Sequence, residues 1–306
     1  METTLSTTTY HRPVLLQEVL RYLMVRSEGK YVDGTFGGGG HSAEILKGIN
    51  GGTLFAFDQD PDAIANIPEH PRLQFIPQNF SNLKAELASR GVTEVDGIIA
   101  DLGISSHQID CAKRGFSYRF EDSRLDMRMN PNQDLDAVTL LNEYPEAEIS
   151  RILMEYGELS NARRIASELI QFRKHNKIET VGQLLIALQD YTPKSHAFKF
   201  LSQVFQAIRI EVNDELTVLQ NFLDQALEVL KPEGRLVMIC YHSLEDRLVK
   251  HFFQTGNFDG FPVKDFYGNI QTPWELPFKK PIEPTTQEIT ENPRARSAKL
   301  RVAIKK

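Results

Sequence analysis

Residues 33–41 read Asp33-Gly34-Thr35-Phe36-Gly37-Gly38-Gly39-Gly40-His41, between a short apolar run, Tyr31-Val32, and a helix-like start at Ser42. Four consecutive glycines free the backbone to turn left-handed and to approach a bound molecule closely, at an entropic cost that a purely structural turn rarely needs. A second apolar run, from Thr53 to Phe57, ends in Asp58. That carboxylate arrives about twenty residues after the glycines, where nucleotide-binding α/β folds grip ribose hydroxyls. The loop therefore predicts a cofactor that carries a ribose.

The surrounding pattern alternates between strand and helix. Apolar spacing predicts a helix over 14–23, a helix from Ser42 to Lys47, and another opened by Asp60-Pro61 as cap and first helical residue. Strands are predicted at 73–76 and 97–101, with Phe80 and a helix over 82–89 between them. This rhythm implies a parallel sheet with helices on both faces. Ligands bind such sheets beyond the carboxyl ends of the strands. Asp33, Asp58, Phe80 and Asp101 all fall at or just after such ends, so four separated positions are expected to converge on one crevice.

From about residue 111 to 205 strand signals largely vanish. Ile149, Ile152, Leu153 and Tyr156 share a helical stripe, as do Ile165, Leu169 and Phe172, and Thr180 is placed to cap a further helix. The α/β rhythm resumes with a long helix ending at Lys231-Pro232-Glu233-Gly234, an apolar strand over 235–240, a helix from Ser243 and a last strand over 299–304. Residues 255–284 read as an irregular loop. The expected organisation is an α/β domain of residues 1–110 and 206–306 interrupted by a helical insert of residues 111–205.

Composition narrows the class. With 41% hydrophobic and 25% charged residues the chain has the balance of a soluble globular protein, and no apolar run reaches membrane-span length. Residues 1–9 are polar and Thr-rich, unlike a signal peptide, so a cytoplasmic location is expected. Cys111 and Cys240 form no Cys-x-x-Cys pair, and the histidines have no ligand spacing; neither a disulfide framework nor a metal is expected. A net charge of −6 argues against a protein that coats nucleic acid, although residues 279–306 carry eight basic against three acidic residues. That bias suits either a phosphate-binding edge or a solvated terminal segment.

The nature of the ribose cofactor is open on the loop alone, because Gly38-Gly39-Gly40-His41-Ser42-Ala43 also satisfies the loose dinucleotide form that an NAD enzyme would use. S-adenosylmethionine needs no pyrophosphate cradle but benefits from a carboxylate near its cationic end, which Asp33 offers. Asp33 could equally be a turn residue bonding its own backbone.

Eight ordered blocks then carry a resemblance. They are His11-Arg12-Pro13-Val14-Leu15-Leu16, the loop from Asp33 to Ser42, Asp101-Leu102-Gly103-Ile104-Ser105-Ser106-His107-Gln108, Arg114-Gly115-Phe116-Ser117, and Leu125-Asp126-Met127-Arg128-Met129. They continue with Phe205-Gln206-Ala207-Ile208-Arg209-Ile210-Glu211-Val212-Asn213, His242-Ser243-Leu244-Glu245-Asp246-Arg247 and Glu291-Asn292-Pro293-Arg294-Ala295-Arg296-Ser297. Through them the chain resembles the bacterial small-subunit ribosomal RNA cytosine-N4 methyltransferases, the RsmH or MraW family, over nearly its whole length. His107 departs from the Pro that many members carry there.

The resemblance implies a Rossmann-like class I S-adenosylmethionine-dependent methyltransferase sheet with an inserted helical domain for substrate recognition. It implies methylation of the exocyclic amine of one cytidine in the decoding region of 16S ribosomal RNA, within the small ribosomal subunit. Cofactor contacts carry over to Gly39, Gly40 and His41, to Asp58 on the ribose, to Phe80 beside the adenine, and to Asp101 with Gln108 near the reacting end. A cytosine amine is a poor nucleophile until a carboxylate engages its hydrogens, and Asp101 is the expected acceptor. Asp101-Leu102-Gly103 lacks the aromatic that often follows such an acceptor, so the base must be held by other residues.

RNA contacts are expected where cations interleave with aromatics, as in Lys113-Arg114-Gly115-Phe116-Ser117-Tyr118-Arg119-Phe120, and from Arg128, Arg294 and Arg296. His242 and Ser243 could line the crevice or simply finish a strand. A homodimer is compatible with the resemblance but is specified by no residue pattern. A nicotinamide-dependent oxidoreductase and a non-catalytic assembly factor remain the competing classes.

Overall fold

The computed structural model describes residues 13–306; His11, Arg12 and the polar residues 1–9 lie outside the described residues. Seven strands form one sheet: β1 (Lys30–Asp33), β2 (Thr53–Phe57), β3 (Leu73–Ile76), β4 (Val95–Asp101), β5 (Leu230–Cys240), β6 (Trp274–Glu275) and β7 (Lys299–Lys305). Their order is β3-β2-β1-β4-β5-β7-β6. The first five are mutually parallel, with Asp33 level with Ala56 and Ile99, and Asp101 level with Ile239.

The fully parallel sheet expected from the sequence is corrected at one edge. β7 begins opposite Cys240, the last residue of β5, so it runs back down the sheet antiparallel to β5, and β6 pairs antiparallel to β7. The breaker Lys231-Pro232-Glu233-Gly234 also behaves differently. Leu230 pairs with Val95 and Arg235 with Gly97, so the four residues are accommodated as an irregularity inside β5, with Glu233 at a φ of +64°. Asp60-Pro61 opens a short 3-10 turn, Pro61–Asn66, rather than an α-helix; the Asp60 carboxylate caps it by accepting from the Asp62 N–H.

Period-two alternation explains how the sheet buries both faces. Val32, Phe55, Phe57, Ile98 and Met238 enter one core, while Tyr31, Leu54, Ile99, Val237 and Ile239 enter the other. Each such fully buried side chain stabilises the fold by about 1.5–3 kcal/mol relative to exposure.

The chain divides into two compact units: the described residues up to Gly103 with Val218–Lys306, and Ile104–Thr217. The boundaries lie at 103/104 and 217/218 rather than at 110/111 and 205/206. On the second side the reason is packing: the helix Ala197–Asn213 sends Val204, Ala207, Ile208 and Val212 into the helical unit's own core, beside Leu125, Ile152, Ile165 and Leu184. Within that unit Thr180 caps Val181–Leu188 through a reciprocal capping box with Gln183.

Asn213 closes the same unit. Its amide nitrogen donates to the carbonyls of Met127 (2.8 Å) and Arg209 (2.9 Å), and its oxygen accepts from the Met129 N–H at 2.7 Å. Removing a buried partner leaves backbone groups unsatisfied, so Asn213→Ala is expected to lower unfolding free energy by about 2–4 kcal/mol in a denaturant titration.

Candidate active site

The glycine loop is held by carboxylates from two strands. Asp33, buried at the end of β1, accepts from the Thr35 N–H (3.0 Å) and from the Ser42 hydroxyl (2.7 Å). It is thus a turn residue bonding its own backbone, and it also ties the loop to the helix Gly40–Gly48. Asp58, just after β2, accepts from the Gly37 N–H at 2.7 Å and the Asp60 N–H at 2.8 Å. Gly37 and Gly39 take φ values of +51° and +75°, and a Cβ on Gly39 would lie 2.8 Å from the Phe36 ring. Only glycine meets both demands at residue 39.

Asp101 lies where β1, β4 and β5 end side by side. Its backbone N–H donates to Thr35 Oγ1 at 2.7 Å, and its Oδ1 accepts from the Tyr241 hydroxyl at 2.8 Å. Oδ2 faces His41 Nδ1 at 3.9 Å and the side chain keeps 24% of its surface exposed, enough for a substrate to reach it. His41 is oriented by the Val14 carbonyl, 3.0 Å from Nε2; because that oxygen can only accept, Nε2 carries the hydrogen.

Burial dominates the electrostatics. It pushes the Asp101 carboxyl up to about 6 despite the His41 ring and the Tyr241 hydroxyl, with Asp33 and Glu245 raising it further. Asp58 rises to about 6 as well, again mainly by burial, and Asp33 is raised for the same reason. Burial and the neighbouring Asp101 push the Tyr241 phenol well up, so Tyr241 stays a neutral donor.

The turn after β5 is organised by buried Glu245. One oxygen accepts from the N–H groups of Tyr241 (2.8 Å) and His242 (3.3 Å); the other lies 3.0 Å from His242 Nε2 without hydrogen-bond alignment. His242 caps the helix Ser243–Thr255, and Ser243 is its exposed first residue. Cys240 is fully buried, with a thiol pushed up by burial, and is no nucleophile.

Other expected residues fall elsewhere. Phe80 is half-buried edge-on against Phe222, with centroids 4.8 Å apart. Gln108, Arg114, Phe116 and Arg128 belong to the helical unit. Gln108 is buried and its amide closes a capping box with Ser105. Phe116 is a correction: at 7% exposure it packs in that unit's core and has no free face on which a base could stack.

Arg114 donates to the carbonyls of Arg128 (2.9 Å) and Met129 (3.0 Å), while Arg128 forms a two-pronged pair with Asp126 and donates to the Gln133 carbonyl. Both guanidinium groups therefore build the 114–133 loop. Arg301 and Lys299 are engaged by Asp246, at 2.6 and 3.4 Å, whereas Arg296 is exposed and Arg294 half-buried. Tyr241 and Thr35 were missed by the sequence reading, although the register that levels Asp101 with Ile239 puts residue 241 just past the same edge.

A glycine loop after β1, with carboxylates at the ends of β1, β2 and β4, defines a Rossmann-like α/β fold with a ribose-cofactor crevice. The chain belongs to the MraW methylase family, whose sequence profile matches residues 8–306, and this match makes it an S-adenosylmethionine-dependent methyltransferase. A ribosomal RNA small subunit methyltransferase H from Parabacteroides distasonis is 51% identical over 298 residues, covering 97% of each chain. The protein of the same name from Flavobacterium johnsoniae is 50% identical over 301 residues, covering 98% of this chain and 99% of its own. The structure of an rRNA methylase from Streptococcus thermophilus aligns over 95% of this chain and 93% of its own at 11% identity, with a TM-score of 0.43.

The residues present fit that cofactor. Buried Asp33 and the largely enclosed Asp58 and Asp101 all have carboxyls raised by burial, an arrangement that a sulfonium's positive charge relieves, and left-handed glycines at 37 and 39 lie beside them.

A raised folded value means that the unfolded chain releases these protons first. Stability is therefore lost as pH rises from about 4 to about 6. Asp101→Asn should stabilise the ligand-free protein at pH 7 by on the order of 2 kcal/mol and flatten that pH dependence, as read by thermal unfolding.

Proposed function

We propose that this protein methylates the exocyclic N4 amine of a cytidine in the decoding region of 16S ribosomal RNA, acting on the small ribosomal subunit. The observation that carries the reading is the Asp101 carboxylate, fixed through Oδ1 by Tyr241 and reachable by substrate beside the glycine loop. The two curated relatives, named for ribosomal RNA small subunit methylation and about half identical over nearly the whole chain, support it.

The amine's lone pair is delocalised into the cytosine ring, so an acceptor must engage its hydrogens. Asp101 Oδ2 is suited to that, and a carboxyl raised to about 6 is ionised at neutral pH yet more basic than an ordinary carboxylate, so it can accept the departing proton and pass it on to water. S-adenosylmethionine, when bound, supplies an electrophilic methyl group on a positively charged sulfur. Gly37, Gly39 and Gly40 would hold it closely, with Asp58 near the ribose, Phe80 beside the adenine and Asp33 near the charge. His41, oriented by the Val14 carbonyl, faces Asp101 Oδ2 at 3.9 Å across the crevice. Because the transfer is an in-line displacement, the rate comes from alignment rather than from a covalent intermediate.

The helical unit and the polar end of β5 at His242 and Ser243 contribute to substrate recognition on this reading. Arg294 and Arg296 contact RNA phosphates. The deciding experiment incubates the protein with methyl-labelled S-adenosylmethionine and unmodified small subunits and maps the product nucleotide; a label outside cytosine N4 would overturn the reading.

Asp101→Ala should cut kcat by at least about a hundredfold, a far larger loss than any weakening of donor binding read by calorimetry. Activity should rise with pH through an acid limb near 6. Tyr241→Phe removes a hydrogen bond that favours the ionised form, so that limb should move to higher pH in a pH–rate profile.

A further inference from the structure

The loop read as irregular from its composition contains a built hairpin. Lys264 and Ile270 form a bridge, the Asp265 N–H donates to the Asn269 carbonyl at 2.9 Å, and the Gln271 N–H to the Val263 carbonyl at 2.7 Å. The Asp265 carboxylate locks the tip by accepting from the Tyr267 and Asn269 N–H groups, both at 2.9 Å, and from the Asn269 amide at 3.0 Å. This turn presents Phe266 and Tyr267 at 97% and 86% exposure, their rings 5.6 Å apart and nearly perpendicular at 88°. Two aromatic rings held almost wholly in water by a rigid turn contribute nothing to the core.

The base of the hairpin adjoins cations. Thr272 Oγ1 donates to the Phe253 carbonyl, which roots the hairpin on the helix Ser243–Thr255. A cleft beside that helix is lined by Lys250, Lys279 and Lys280 with Phe253 and Phe278, and the three lysines have no anionic partner among the described residues. The helix starts at the crevice turn and has 13 residues. Phe253 is ten residues past Ser243, so at 1.5 Å per residue the hairpin root lies about 15 Å along the helix from the reacting carboxylate's neighbourhood.

We infer that the Phe266–Tyr267 tip and the Lys250/Lys279/Lys280 cleft form a second RNA foothold, in which an unpaired base of the substrate RNA stacks on the exposed rings while its phosphates meet the lysines. The inference rests on the proposed RNA methylation. It favours RNA because lysines without an anionic partner line the cleft at the hairpin's root, where a purely apolar partner of the exposed Phe266, Tyr267 and their exposed neighbours Phe261, Val263 and Ile270 would leave them unmatched. The distance makes it a grip on RNA flanking the target, so it acts on substrate affinity and not on the chemical step.

The test uses the full chain and unmodified small ribosomal subunits. Phe266→Ala with Tyr267→Ala should raise KM for subunits about tenfold or more, with kcat, donor affinity and Tm unchanged. Phe266→Trp should retain wild-type KM while Phe266→Leu does not. Replacing the three lysines by Gln should reduce the logarithmic salt slope of binding by about two.

The inference is overturned if the double variant keeps wild-type KM, if Leu serves as well as Trp, or if the double variant loses self-association or binding to anionic lipid vesicles while subunit affinity stays intact. Wild-type protein that transfers no methyl group to subunits would instead bring down the proposed function itself.

Discussion

Three strand ends are tied together at Asp101. Its amide is held by Thr35 from the loop after β1, its carboxylate by Tyr241 from the end of β5, and its own strand lies between those two. Parallel register makes this convergence possible, because Asp33, Asp101 and the last residues of β5 finish at nearly the same height. Burial makes it costly, since ionised carboxyl groups are gathered there with little compensating charge. The site therefore spends folding stability on a negative potential that only a cationic ligand satisfies, which is the pattern expected where function rather than packing selects the residues.

Much of this was legible from residue order. The glycine run, the carboxylates at strand ends and the apolar alternation of β1, β2 and β4 are local signals, and local physics reads them. Asp33, Asp58 and Asp101 emerged where expected for that reason.

What could not be read depends on partners distant in sequence. Phe116 looked like an exposed stacking ring because its neighbours are cationic, yet Arg114 donates to backbone carbonyls and the ring turns inward. Arg128 looked available for phosphates but had a carboxylate waiting in Asp126. Tyr241 was passed over between a thiol and a histidine, since only sheet register aims its hydroxyl at Asp101. The aromatic hairpin was hidden by Gly and Pro, which signal a turn without saying what the turn displays.

The interruption of the α/β unit between Gly103 and Val218 bears on how the molecule assembles. β4 and β5 are adjacent in the sheet, yet the whole helical unit separates them in the chain, so pairing them directly would close a very long loop. The helical unit has its own apolar core, so it can condense as a unit before those strands pair. Once it has condensed, the tether between the two strands is a compact body instead of a free coil, and the entropic cost of bringing them together is largely met before they touch.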